Sequence, residues 1–506
     1  MNIPADPILT CAEARAFEAK FFGGDETKEW MAMQRAGRAV ACGVLLDFEE
    51  IGGFPAHGRV LVLAGKGHNG GDALIAAAEI LARFPGARAS VIFAFGQRVL
   101  RPLAARAWRD LVHAAGPRVE VLRAGALDGS TWDVCLDGVF GFQFRPPVPA
   151  GVAALVRRVN ELPVRLRAAV DLPSGLGENA RRDDTVFRAD FTYATGIVKD
   201  LAVNGLNGDW VGRLRYLDLG FFAREASADA RLRILGPRVL APVGRFRKPE
   251  SDKRSYGHVH VLGGSRRYPG AVLMTVLAAL RSGAGLVTAF VPESLVPAFA
   301  ARAPEAMWVG WPETETGGLA LEGQRLLQER AAPAAFVIGP GLGREPETLA
   351  LVADIVKNAP APLVIDADAL QPEIVRAGKA PRILTPHIGE LRRILAGDDF
   401  YETDAGRDAV VVVKGRITGV VQGGKTGCYS PFGGPVLARG GSGDLLAGLI
   451  GGLLAQTPHE LPLAACRGVV WHGLAADLLA RTHGQVAVHT TQLLDFLAPA
   501  LRGLPE

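Results

Sequence analysis

The sequence predicts an α/β protein made of two successive units, each a parallel sheet covered by helices on both faces. Three observations carry this. Short β-branched runs alternate with longer Ala/Leu/Arg-rich segments along most of the chain. The alternation starts afresh near residue 245, after an Ala/Arg-rich stretch at 222–245 that holds two prolines. The length, 506 residues, suits two large α/β domains at roughly 150 residues or more apiece. The boundary is expected near 228, giving units 1–228 and 229–506. No motif aligns between the halves, so no repeat is expected.

In the first unit, 59–63, 89–95, 118–122, 133–136, 168–170 and 191–195 read as strands. Segments 72–83 and 102–115 read as helices between them. In the second unit the strand candidates are 258–262, 286–291, 335–338, 362–365, 382–384 and 409–413. Glycine or aspartate closes several of these strands at the carboxyl end, where open α/β sheets place their ligands.

Composition narrows the function. Hydrophobic residues make up 49% of the chain, enough to fill real cores. Lys+Arg 56 against Asp+Glu 52 leaves +4, too balanced for a nucleic-acid or membrane-surface protein. Five scattered cysteines without a CxxC argue against a disulfide framework or a zinc site, and point to the reduced cytoplasm. Residues 1–15 have no apolar core of a signal peptide. Apolar runs such as Leu445–Ala455 are shorter than the ~20 residues of a membrane span, so no membrane is expected.

Strand 59–63 leads into Gly65-Lys66-Gly67-His68-Asn69-Gly70, a literal GxGxxG before a helix. That pattern suggests a dinucleotide dehydrogenase, but the next strand ends Phe95-Gly96-Gln97, without the acid that holds a ribose hydroxyl. The longer string KGHNGGD at 66–72 resembles the GNNGGDG loop of the NAD(P)H-hydrate epimerase family. Asp137-Gly-Val-Phe-Gly141 and Asp171-Leu-Pro-Ser-Gly175 resemble two further loops of that family. Met33–Gly37, Ala189–Thr192 and Lys199 add weaker support. The resemblance spans about residues 10–220 and implies a Rossmann-like three-layer αβα domain.

It also implies roles. His68, Asn69, Gly70, Gly71, Asp72, Gly141, Phe142, Gln143 and Asp171 would bind the hydrated dinucleotide, with Asp171 as acid/base. Asn69, Asp137 and Ser174 would hold potassium, and their oxygens suit a hard cation. Backbone N–H groups at 68–72, opening a helix, can hold pyrophosphate. An isolated Asp-x-Pro-Ser-Gly turn is more often capped by its aspartate for structural reasons. His68 departs from the family's asparagine, and Phe142 and Phe144 stand in a run that usually carries Gly, Thr and Leu.

In the second unit Gly440-Gly-Ser-Gly-Asp444 opens an apolar helix. Successive backbone N–H groups there make an anion hole for a moving phosphoryl group, and Asp444 can take a hydroxyl proton. On its own such a turn is more often a plain helix start. Nearby, 419–426 satisfies GxxxxGK[ST], but Cys428–Pro431 cannot begin a helix, so a hairpin tip at 423–426 is expected. The GxGD turn resembles the ribokinase-like fold.

Residues 256–265 with Pro269-Gly-Ala271 resemble the G-H-V-L-V-x-G-G-S…G-A opening of the ADP-dependent NAD(P)H-hydrate dehydratases. Residues 278–287, Gly339–Gly343, Asp366–Leu370, Thr385–Glu390 and Val411–Gly415 follow in that family's order, over about 245–490. Ile388 replaces the family's proline. The resemblance implies a ribokinase-like αβα domain in which Ala271, Gly341, His387 and Asp444 contact the hydrated dinucleotide. Lys414, Gly415, Arg416, Ile417, Thr418 and Gly443 would bind ADP, with magnesium beside its phosphates. Read without the family, His387 is a satisfied turn histidine, and Asp366 and Asp368 are helix caps.

The two resemblances together imply a bifunctional repair enzyme for hydrated NADH and NADPH (NADHX and NADPHX), epimerising R and S forms and dehydrating the S form with ADP. A homo-oligomer is expected. The rival is a small-molecule kinase joined to a non-catalytic dinucleotide-binding module.

Overall fold

In the computed structural model, the described residues are 3–127, 129–178, 180–181, 184–222, 230–396, 400–424 and 426–504. The chain forms two compact units, Asp6–Ala230 with Ala480–Gln485, and Arg231–Leu479 with Met1–Ala5 and Val486–Glu506. The expected boundary residue 228 lies outside the described residues, as does Lys425 of the expected hairpin tip.

The first unit holds a seven-stranded sheet in which every neighbouring pair is parallel. Its order is Val119–Val121, Arg88–Phe93, Arg59–Ala64, Trp132–Gly138, Val164–Val170, Phe191–Thr195, Arg213–Leu217. Continuous apolar strands fit this because both faces are covered. Val60, Val62 and Ala64 enter one core, against helices Glu26–Phe48 and His68–Arg83, while Leu61 and Leu63 enter another around Leu155 and Val159. The sequence reading misses the edge strand Arg213–Leu217, whose Arg-Leu-Arg-Tyr-Leu alternation is short and half charged.

The second unit runs Met307–Trp311, Leu286–Pro292, His258–Leu262, Ala335–Ile338, Leu363–Ile365, Arg382–Leu384, Val410–Val413, all parallel. Two antiparallel strands, Thr418–Gln422 and Thr426–Ser430, extend it, and Leu232–Leu235 adds parallel to the last. Gly423 and Gly424 make the tight turn with φ of 53° and 69°, the left-handed values that glycine permits. The P-loop pattern is therefore a β-hairpin.

Helix Ser442–Gln456 packs on its neighbours through bare backbone. A Cβ on Gly448 would come 2.1 Å from Thr275 O, one on Gly452 1.8 Å from Ser282 Oγ, and one on Gly451 2.1 Å from Val337 Cγ2. These approaches press the helix onto Pro269–Arg281 and the sheet, and so fix where its N-terminus lies.

One expectation about apolar length is corrected. Helix Leu461–His483 has 23 residues and a mean hydropathy of 1.2, long and apolar enough to cross a membrane, but 83% of that apolar window is buried inside the protein. Its apolarity is that of a core helix. All five cysteines are free.

Candidate active sites

The first site is a cavity of about 430 Å³ at the carboxyl ends of the first sheet. It gathers loops from three strand ends. His68, Asn69 and Asp72 come from the first turns of helix His68–Arg83, Gly141, Phe142 and Gln143 from the loop after Trp132–Gly138, and Asp171 from the end of Val164–Val170. Gly70 and Gly71 do not line it. They lie beneath, where a Cβ on Gly70 would come 2.2 Å from Gly65 O and one on Gly71 2.6 Å from Met33 Sδ. Their role is to let the loop close.

Asp171 is buried and holds a φ of 69°, a left-handed conformation costing a non-glycine residue about 1–3 kcal/mol. Its surroundings impose it. Its N–H donates to Tyr193 O at 2.9 Å, Phe142 N–H donates to Oδ2 at 3.1 Å, and the Lys199 ammonium pairs with Oδ1. Lys199 is itself buried, donates to Ile197 O at 3.0 Å and lies 4.6 Å from the centre of the Phe142 ring. Phe142 thus fixes one carboxylate oxygen through its backbone and covers the lysine with its ring.

Asp137 is fully buried. Ser174 donates to it twice, Oγ–H at 2.6 Å and N–H at 2.8 Å, and Val139 N–H once at 3.3 Å. Burial pushes this carboxyl up to about 6, against those hydrogen bonds. Asn69 donates both amide hydrogens, to Phe140 O at 2.9 Å and Val170 O at 2.8 Å, which leaves Oδ1 as acceptor beside Gly141. Asp72 is buried, its Oδ1 without a partner among the described residues, and burial and Asp171 raise it well above the usual carboxylate range. Glu18, on the wall, is pushed up to about 7, chiefly by burial.

His68 sits 3.4 Å from Glu29, and burial lowers its pKa despite that carboxylate. Lys66 and Arg101 bring positive charge to the same wall. Sequence reading passes over Glu18 and Arg101 because isolated charged residues carry no spacing signal, and it quotes Lys66 within the glycine loop without giving it a role. Lys199 is noticed only as weak support.

The second site is a cavity of about 900 Å³ at the carboxyl ends of the second sheet. Ala271, Gly341 and Asp444 line it, with Ser265 and Asp368, which the sequence reading places in motifs without a site role, and Arg344 and Glu345, which it leaves out. Gly441, with φ of 91°, turns the chain into helix Ser442–Gln456 so that Asp444 falls in its first turn. Burial and the neighbouring Asp366 push Asp444 up to about 6, and Lys414 opposes them. Lys414 Nζ pairs with Asp366 Oδ1 at 2.9 Å, and a Cβ on Gly443 would lie 3.2 Å from that ammonium. Asp368 ties two loops together, accepting from Gly343 N–H at 3.1 Å and Arg344 Nε–H at 3.2 Å.

His387 does not line this cavity. It caps helix Ile388–Ile394, its Nδ1 accepting from Gly389 N–H at 3.0 Å and Glu390 N–H at 3.3 Å, while Glu390 returns a bond to its N–H. That is the satisfied turn histidine of the plain reading. It stays near the site through a parallel bridge to Lys414, whose N–H donates to Pro386 O at 2.9 Å. Gly415, Arg416 and Ile417 form the turn from Lys414 into strand Thr418–Gln422, also off the cavity wall.

Fold and sites define a two-unit α/β enzyme in which the carboxyl end of each sheet brings a carboxylate near a lysine and a glycine-rich turn before a helix. Residues 30–201 match the family model described as YjeF-related protein N-terminus, and 259–499 match the one described as NAD(P)H-hydrate dehydratase. The bifunctional NAD(P)H-hydrate repair enzyme Nnr of Gloeobacter violaceus is 35% identical over 98% of this chain and 97% of that protein. That of Thermosynechococcus vestitus is 34% identical over the same shares. A solved ADP/ATP-dependent NAD(P)H-hydrate dehydratase from Bacillus subtilis, co-crystallized with ATP/Mg2+, is 31% identical over 51% of this chain and 93% of its own, with a TM-score of 0.44. The chain belongs to the family of bifunctional NAD(P)H-hydrate repair enzymes.

Proposed function

We propose that the first unit interconverts the R and S hydrates of NADH and NADPH, and that the second dehydrates the S hydrate with ADP. The observation that carries this is Asp444, at the head of an anion-binding helix, on the wall of a cavity large enough for a dinucleotide and beside the Lys414–Asp366 pair. Asp444 accepts the proton of the ring hydroxyl as its oxygen attacks the β-phosphorus of ADP, and AMP leaves. The phosphate ester then loses phosphate from that carbon and a proton from its neighbour, restoring the double bond of NAD(P)H. Lys414 and Gly443 meet the phosphates, and His387 fixes the Lys414 loop. Asp368 and Glu345 put carboxylates on the cavity wall, which fits magnesium held there beside the phosphates.

In the first unit Asp171 moves the proton, its carboxylate held by Lys199 and Phe142. The helix start at 68–72, with Lys66 and Arg101, receives the pyrophosphate. Asn69, Asp137 and Ser174 fit potassium, because Asp137 is fully buried with only neutral donors on it and Asn69 keeps one amide oxygen. Potassium would supply the missing counter-charge and tie the three strand ends together. A cytoplasmic home accords with the free cysteines, and a homo-oligomer belongs to the same reading.

The test is to add each purified hydrate epimer, with and without ADP, and follow NADH absorbance. S hydrate converted only with ADP, and R hydrate converted faster than it epimerises spontaneously, is the expected result. Dehydration without ADP, or none with it, refutes the second-unit assignment. For potassium the readout is thermal: its chloride should raise the melting temperature over choline chloride, and Asn69→Ala should erase the difference.

A further inference from the structure

Helix Cys11–Phe22 turns Cys11, Ala14, Glu18 and Phe22 to one side, at the three- and four-residue spacing of a helix face. Cys11 and Ala14 are buried there, and Ala14 and Phe22 pack with Ala36, Ile197 and Phe221. Glu18 thus puts a carboxyl where the pattern calls for an apolar side chain. It is half-buried and lines the 430 Å³ cavity together with Asp171 and Lys199. Among the described residues nothing donates to its oxygens, and both stay open to the cavity. It lies ahead of the first motif of the unit, Met33–Gly37.

The charged and titratable groups around Glu18 come from other elements: Glu29 from helix Glu26–Phe48, His68 and Asp72 from helix His68–Arg83, and Asp171 and Lys199 from strand ends. Three of these are carboxyl groups, and the Lys199 ammonium is paired with Asp171. Burial pushes Glu18 up to about 7, with Lys199 opposing and Asp171 and Glu29 adding to it. The two carboxyls therefore differ in kind. Asp171 has both oxygens engaged as acceptors, by Lys199 and Phe142 N–H, each with a lone pair left to take a proton. Glu18 has no donor on it and is the one suited to give a proton.

Resting on the epimerase reading of this cavity, we infer that Glu18 is its second catalytic residue, the general acid for the departing hydroxyl, while Asp171 is the base for the arriving water. In the R-to-S direction the bond between the ring carbon and its hydroxyl oxygen breaks as that oxygen takes the Glu18 proton and leaves as water. The lone pair of the adjacent ring nitrogen moves into a C=N bond. A water on the other face adds its oxygen to the same carbon and gives a proton to Asp171, and the C=N electrons return to nitrogen. One water leaves and one enters, one proton is given and one taken, and exchange with solvent resets both carboxyls. In the reverse direction the two residues exchange roles.

The test gives purified R hydrate to the full chain without ADP and follows the S hydrate formed by chromatography and mass spectrometry. Glu18→Gln keeps the shape and loses the proton, so kcat should fall about 10²-fold or more with KM little changed. Its thermal melt and its dehydration of S hydrate with ADP should match the unaltered protein. Two readings need no variant. In the unaltered protein kcat/KM for R hydrate should fall about tenfold per unit above pH 7, as Glu18 loses its proton. In water enriched in oxygen-18, the S hydrate should carry solvent oxygen beyond the enzyme-free control. Unaltered protein no faster than spontaneous epimerisation would defeat the epimerase reading and this inference with it. Active protein with an equally active Glu18→Gln, a profile flat from pH 7 to 9, or S hydrate that keeps its original oxygen would overturn the Glu18 assignment alone.

Discussion

Asp444 and Asp171 both stand near a lysine, but their partners differ. Lys414 pairs with Asp366 and offsets burial only in part, so Asp444 keeps a raised pKa of about 6, which suits the proposed proton acceptance. Asp444→Asn should lower dehydration about 10²–10⁴-fold while leaving the thermal melt nearly unchanged, measured as NADH recovered from S hydrate with ADP. Retained turnover would remove Asp444 from the chemistry. The sign of the pH effect follows from the proposed role as a base. Above about pH 6 the carboxylate is ionised; below it, protonation should cut kcat/KM about tenfold per unit, and a kcat/KM profile flat from pH 7 to 5 would refute this. Asp171 is fixed on both oxygens by Lys199 and Phe142 N–H. Asp171→Asn keeps a residue that tolerates the left-handed backbone but leaves the buried Lys199 ammonium without its counter-charge, so lost epimerisation reports chemistry where the thermal melt and the second unit's dehydration are retained. At this scale the sequence is readable where residues come in motifs. It is silent on Glu18, and it notes Lys199 only in passing, because both reach the cavity from segments without a motif.

Strands with long β-branched runs, such as Arg59–Ala64 and Val410–Val413, are legible because burial on both faces demands continuous apolar residues. Met307–Trp311, an edge strand with a glycine and two tryptophans, offers neither alternation nor a β-branched run, and goes unread. The hairpin at 418–430 is legible from its Gly-Gly and the proline that follows, against a tempting phosphate-binding pattern. What no pattern could show is how helix Ser442–Gln456 seats itself. Its glycines matter through atoms of other elements. Gly448→Val should overpack against Thr275 O, costing about 1–3 kcal/mol of stability and displacing the Asp444 turn. Dehydration should fall while epimerisation persists; a variant with unaltered melting and dehydration would show that the helix yields freely.

The division into two units was legible from the restart of the strand–helix alternation, and each unit brings its own carboxylate to its own sheet edge. Diffusible product should therefore connect the two reactions. A mixture of Asp171→Asn chains and Asp444→Asn chains should recover NADH from R hydrate with ADP, although each variant alone recovers it slowly or not at all. A mixture no better than Asp171→Asn alone would mean that the S hydrate is not shared between chains.

Because helix Ser442–Gln456 rests on naked main chain, its freedom to drift over generations is narrowest at positions that touch no substrate. In a saturation-mutagenesis map, Gly448, Gly451 and Gly452 should tolerate replacement as poorly as Asp444, although they lie about one to two helical turns along from it. A library meant to turn this unit toward another hydroxylated dinucleotide should freeze those three glycines and the left-handed Gly341 and Gly343, and diversify the cavity loops at 265–268 and at Leu342, Arg344 and Glu345.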